Sequence, residues 1–301
     1  MILLTVLGLC LFEVISSVDN AIINAEVLST MEQRSRKWFL FWGILFAVVI
    51  MRGVLPWAIV FATNPALGPM GALFATFSND PKVQGSIQDS SPILLVGGGV
   101  FLIFLFLHWL FIEPKNYGLR GEQFFHKQSV WFYALAGVFL ALIVYISLQI
   151  HPIMAFSAVL GSTAFFITHG FRQNAETEEK NLMKKGRSDL SKIFYLEVID
   201  ATFSIDGILG AFAFTLSVPL ILIGNGIGVI VLRQLTVGNI DRIKQYKYLK
   251  NGAMYSILSL GCIMLLDAFG AHIPEWFSPI ITFGVIGYFF LKSKRALNRQ
   301  V

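Results

Sequence analysis

The chain has 301 residues and is 55% hydrophobic, 14% aromatic and 14% charged, with a mean hydropathy of +0.69. A soluble domain carries about 25% charged residues, so the composition excludes a soluble enzyme and requires an integral membrane protein. The formal net charge of +5 comes from basic residues lying between apolar runs, where it orients spans and does not mark a nucleic-acid surface.

A bilayer-spanning helix needs about 20 apolar residues. Taken in order, segments 3–28, 38–62, 92–112, 130–150, 153–171, 193–216, 218–237, 252–269 and 278–292 meet or approach that length. The sequence therefore predicts an all-α fold, a polytopic membrane helix bundle of about nine spans. The first eleven residues lack a basic leader and a small-residue cleavage site, so they read as a retained first span. Asn64-Pro65, Pro92, Glu113-Pro114, His151-Pro152, Val218-Pro219 and Pro279 punctuate the breaks. The stretch 63–91 reads as an external loop, re-entrant or not, and 172–192 as a solvated cytoplasmic connector with one or two helical turns. Spans 130–150 and 153–171 read as peripheral. Cys10 and Cys262 lie in apolar runs with no CxxC partner and read as small core residues.

With the N-terminus outside, the cytoplasmic segments hold 20 of the 23 Lys and Arg, the external ones only Lys82, and the spans Arg52 and Arg233. The positive-inside rule then sets N-terminus out and C-terminus in, a multi-pass protein of the plasma (inner) membrane.

Two stretches are versions of each other: EVISSVDNAIINAEV from Glu13, and EVIDATFSIDGILGAFAF from Glu197. Registering Asp19 on Asp206, an offset of 187 residues, sets Glu13 on Asp200. Carboxylates at the centre of a span cost about 2.5–3.5 kcal/mol each on insertion scales. Glu13, Asp19, Glu197, Asp200 and Asp206 together imply a gross cost above roughly 10 kcal/mol, which points to a site. On the predicted topology the first copy enters from outside and the second from inside, so the repeats are inverted. Gly43 precedes Arg52 and Gly224 precedes Arg233 by nine residues each, in the span after each motif. Repeat one covers 1–112 with loop 63–91, repeat two 193–301, and 113–192 holds the peripheral spans and connector.

Glu13, Ser17, Asn20 and Asn24 share one helical stripe, with Asp19 about 120° away. Glu197, Asp200 and Ser204 share another, with Asp206 off it. Both motifs are therefore expected to be broken helices at the midplane, the second loosened by Gly207 and Gly210. The predicted metal site comprises Glu13, Asp19, Asn20, Glu197, Asp200 and Asp206, supported by Ser17, Asn24, Ser204, Arg52 and Arg233. All its donors are oxygens, which suit Mn²⁺, Ca²⁺ or Mg²⁺ and disfavour zinc and copper. Five acids against two arginines leave −3, more than one divalent ion neutralises, so protons are the expected counter-ion. A lone intramembrane acid is as readily structural as functional; five in matched copies are not. His108 reads as packed, His126, His151, His169 and His272 as interfacial, and Asp267 and Glu113 as solvated near span ends.

The pattern E-x5-D-N-A at Glu13 to Ala21, with E-x2-D-x2-F-S-x-D at Glu197 to Asp206, resembles the TerC family of integral membrane proteins, grouped with the LysE-type exporters. Tyr248 to Pro279 is also similar to that family's last spans. The likeness is specific over 11–28 and 193–292 and loose over 63–171, as in a divergent branch. Gly207 stands where family members usually carry Ser. The resemblance implies metal-ion handling: manganese export, metal supply to secreted proteins, and tellurite resistance. It places the ion at Glu13, Asp19, Asn20, Asp200 and Asp206, with Glu197 a weaker member. The expected function is a divalent-cation exporter, not an enzyme, with Mn²⁺ as favoured substrate. The bilayer and the metal ion are its partners, and homo-oligomers or secretion-related proteins remain open. The alternatives are a metal-stabilised accessory subunit and an intramembrane carboxylate enzyme, though no nucleophile–base pair or GxGD arrangement supports the latter.

Overall fold

A computed structural model describes residues 1–43, 68–77, 81–182 and 188–299, with positions 46, 53, 54, 57, 58, 61 and 65 between them. The side chains of Asp19, Leu40, Phe203, Arg233, 75–90, 175–182 and 235–244 lie outside that description. Among the described residues all regular structure is helical. In chain order these are α1 (Ile2–Ser16), α2 (Val18–Ser29), α3 (Gln33–Trp38) running into a π-helical turn (Phe39–Gly43), α4 (Gly68–Phe77), α5 (Pro81–Phe111) and α6 (Glu122–Lys127). There follow α7 (Trp131–Ile150), α8 (Pro152–Leu182), α9 (Asp189–Ala211), α10 (Val218–Lys244), α11 (Leu249–Ala268) and α12 (Phe277–Leu297).

Among the described residues, four helical segments are long and apolar enough to cross a membrane: Ser91–Phe111, Trp131–Ile150, Pro152–Asn174 and Leu249–Ala268. A fifth arises if Ile2–Ser16 and Asn20–Ser29, bent by 55°, form one span. These fit a membrane helix bundle. The predicted spans 193–216 and 278–292 are helical but fall outside that set, as does 218–237, apolar over Val218–Leu232. Span 38–62 and Arg52 lie largely outside the described residues. The outward face of α7 exposes Tyr133, Val138, Leu142 and Tyr145, as a lipid-facing helix would.

The hub is α5, which packs against α8 on one side and α11 on the other. Its Gly97-Gly98-Gly99 run makes both contacts possible. A Cβ on Gly161 of α8 would stand 2.1 Å from the Gly97 carbonyl oxygen, and one on Gly261 of α11 would stand 3.2 Å from that of Gly99. Small residues thus let backbones touch, the usual device for helix association in lipid. Around them Val100, Phe101, Phe104, Trp109, Phe165 and Leu260 are almost wholly buried.

Three expectations are corrected here. Pro92 lies inside α5 and ends nothing; nearby, the Ser157 hydroxyl of α8 donates to the Ile93 carbonyl at 2.5 Å. Stretch 172–192 is mainly helical, because α8 runs on to Leu182 through good helix formers with neither Gly nor Pro. Motif helix α9 runs unbroken through Gly207 and Gly210 to Ala211.

Glu113 is not freely solvated. It accepts from Lys250 at 3.0 Å and lies 3.5 Å from His108 Nδ1, with a side chain 20% exposed. Burial opposes its ionisation, but the His108 and Lys250 contacts outweigh that and hold the carboxyl well below the usual range. Nearby, Lys115 folds over the Trp109 ring at 4.2 Å and caps the end of α5 at the Trp109 and Leu110 carbonyls. Burial pulls its ammonium down to about 8, against the partly restoring charges of Glu122 and Glu113. Buried Glu122 ties the connection together, accepting from Gly118 N at 2.7 Å, Leu119 N at 3.0 Å and Asn251 Nδ2 at 2.9 Å.

Candidate functional site

The first motif is broken where the sequence requires it, between Glu13 and Asp19. Ser17 separates α1 from α2 with φ −95° and ψ 8°, while its N–H still donates to the Glu13 carbonyl at 3.1 Å and its own carbonyl accepts from Ala21 N at 3.0 Å. No proline stands at the bend. The Ser16 hydroxyl also donates to the Glu13 carbonyl, at 3.3 Å, and the Ser17 hydroxyl to Glu13 Oε1 at 2.8 Å.

The bent pair lies antiparallel to α9. Lys192 near the start of α9 donates to the Thr30 carbonyl and hydroxyl at 3.2 and 3.0 Å, at the end of α2. Asn20 Nδ2 donates to Asp200 Oδ1. A Cβ on Gly207 would stand 2.7 Å from Glu13 Oε2, and one on Gly210 2.6 Å from the Phe12 ring. The glycines therefore serve close approach and not unwinding. Two of these contacts are related: the 187-residue offset carries Glu13 onto Asp200 and Asn20 onto Gly207, so Glu13–Gly207 and Asn20–Asp200 exchange under the motif register.

Helix α10 closes the other side of Glu13. A Cβ on Gly228 would meet Glu13 Cβ at 2.7 Å and the Cys10 carbonyl at 3.0 Å, and one on Gly224 would meet Leu9 Cβ at 2.6 Å. Glu13 is accordingly 0% exposed. On the same helix Asn225 is also 0% exposed, and neither of its side-chain polar atoms finds a hydrogen bond among the described residues. The same holds for Asn20 Oδ1, Asn24 Oδ1 and Asp206 Oδ1. Buried amide and carboxylate oxygens are normally satisfied, so a set of them calls for an explanation.

The site residues do not all converge. Two separate contacts form, Glu13 with Ser17 and Asn20 with Asp200, with Asn24 and Ser204 buried on the same helices. Asp206 is drawn aside: its Oδ2 accepts from Arg172 Nη2 of α8 at 2.7 Å, the two side chains 11% and 12% exposed. Glu197 turns away, lining an apolar groove of about 600 Å³ with Ile167, Phe171, Phe194, Val198 and Ile205. The side chains of Asp19 and Arg233 and all of Arg52 lie outside the described residues. Among the described residues no three His, Cys, Asp or Glu side chains stand ready to hold a metal together.

Arg172 and Asn225 escaped sequence reasoning. Arg172 falls among the cytoplasmic basic residues on the predicted topology, yet Phe165, Thr168 and Arg172 fall at 3–4-residue steps, a helical periodicity that continues the span. Asn225 lies uncharged within the apolar GNGIG run, outside both motifs. His108 is packed, as expected. Its ring centroid lies 4.0 Å from that of His169, which stacks on Phe165 at 5.8 Å and so belongs to an aromatic cluster.

No curated protein and no solved structure matches the chain. A family model does, over residues 18–300, which takes in Asp19 and the whole of the second motif; the chain belongs to the family described as "Protein of unknown function (DUF475)".

Proposed function

We propose that the protein is a divalent metal cation transporter, working as an exporter with Mn²⁺ the favoured substrate and Ca²⁺ or Mg²⁺ the alternatives. The observation that carries the reading is the antiparallel meeting of the two acid motifs. Glu13 lies against Gly207 and Asn20 against Asp200, with the unbonded oxygens Asn20 Oδ1, Asn24 Oδ1 and Asp206 Oδ1 buried nearby. Carboxylate, amide and hydroxyl oxygens make a hard-cation donor set. A cargo site must also release its ion, so a loose set of oxygens suits transport better than a closed cage.

The exchange of those two contacts under the motif register supports inverted repeats, in which two equivalent half-sites face opposite sides of the bilayer in turn. The motif resemblance to the TerC family supports the same reading. The chain then lies in the plasma (inner) membrane, N-terminus out, and carboxylates left empty after release take up protons.

Purified protein in liposomes tests the proposal with a Mn²⁺-quenched internal dye. Wild type should give net flux. Asp200→Asn keeps an acceptor for Asn20 but removes the charge, so flux should fall by more than about tenfold with the protein still folded. Binding without flux would favour the accessory subunit; neither binding nor flux would sink cation handling altogether.

A further inference from the structure

The ion pair between α8 and α9 is unlike a structural one. A buried arginine–carboxylate pair that only stabilises a fold commonly engages both oxygens with its guanidinium fork. Here one contact is made, Arg172 Nη2 to Asp206 Oδ2 at 2.7 Å, while Asp206 Oδ1 stays buried without a hydrogen bond among the described residues. The carboxylate is thus half used, and its free oxygen belongs to the motif that the second repeat contributes. Arg172 comes from outside both repeats, near the end of the apolar stretch Pro152–Asn174. It is long, permanently charged and carried on a flexible stem.

We infer that Arg172 is a tethered counter-cation: its guanidinium holds Asp206 while the site is empty, leaves when a divalent cation binds, and returns to expel that cation. The inference rests on the cation-transport reading and names the competitor that makes release possible. A carboxylate buried without a cation is costly, and a guanidinium already present offsets part of that cost at Asp206. The metal must then displace a charge-assisted hydrogen bond to bind, which weakens affinity and hastens release together. At Asp206 the reset is by Arg172, while protons serve the other acids.

Arg172→Gln should therefore bind Mn²⁺ about ten- to a hundredfold more tightly than wild type, because a charge-assisted bond no longer competes, and should transport more slowly. Added guanidinium ion should compete with Mn²⁺ for the variant and restore weaker binding. In wild-type protein, saturating Mn²⁺ should speed modification of Arg172 by phenylglyoxal, followed by mass spectrometry; this arm needs no variant and decides the matter if Arg172→Gln does not fold. Equal or weaker Mn²⁺ binding by a folded Arg172→Gln, or labelling of Arg172 that Mn²⁺ leaves unchanged or slows, overturns the inference while cation binding by wild type still stands. Wild type that binds no divalent cation in calorimetry overturns the transport reading and this inference with it.

Discussion

Charged residues in this chain are held by partners that local sequence does not name. Asp206 meets Arg172, a residue of α8 outside the predicted site. Its neutralisation to Asn would remove that guanidinium's charged partner on α9, so Asp206→Asn is expected to lose stability as well as function, and pairing it with Arg172→Gln should recover folding. Glu113 follows the same logic nearer the bundle's end. Its folded-state pKa is depressed, so its contribution to stability is present above the ordinary glutamate value of about 4.3 and is lost as pH falls through the folded one. Glu113→Gln should lower stability by about 1–2 kcal/mol at pH 7, discounted for the partial exposure of Lys250. Thermal melts should show the gap to wild type closing as pH drops below about 4; a gap independent of pH would mean the Lys250 contact contributes nothing.

Between helices, glycine decides how near the elements come. Glu13 sits between Gly207 on α9 and Gly228 on α10, and the two sides differ in stiffness. Opposite Gly207 is the far end of the Glu13 side chain, which can turn; opposite Gly228 are Glu13 Cβ, Cγ and the Cys10 carbonyl, which cannot move without the α1 backbone. Gly228→Ala should therefore destabilise by about 1–3 kcal/mol, and Gly207→Ala by less while displacing the Glu13 carboxylate and weakening cation binding. Thermal melts paired with Mn²⁺ titration separate the two. Equal melting points would show that α1 yields as easily as a side-chain tip.

Across the whole molecule, orientation in the bilayer is a matter of charge, and it can be checked directly. Cysteines placed singly at Lys82 and Lys185 should react with a membrane-impermeant reagent from opposite sides, outside and cytoplasmic respectively. Labelling of both from one side would collapse the inverted-repeat argument and, with it, the equivalence of the two half-sites.

Membrane character and the all-helical class were legible in the sequence, because both depend on a local quantity, apolar length against bilayer thickness. What the tertiary structure alone decided is which groups meet. Helix α9 stays unbroken through two glycines because α1 fills the space they leave, and Glu197 lines an apolar groove although it shares a helical stripe with Asp200 and Ser204. Arg172 reaches Asp206 because α8 packs on α9 and carries Arg172 near the end of its apolar stretch. Such pairings span 34 to 194 residues of chain, as in Arg172–Asp206 and Glu13–Gly207. They follow from the packing of surfaces around the α5 glycines, and no window of local sequence carries that information.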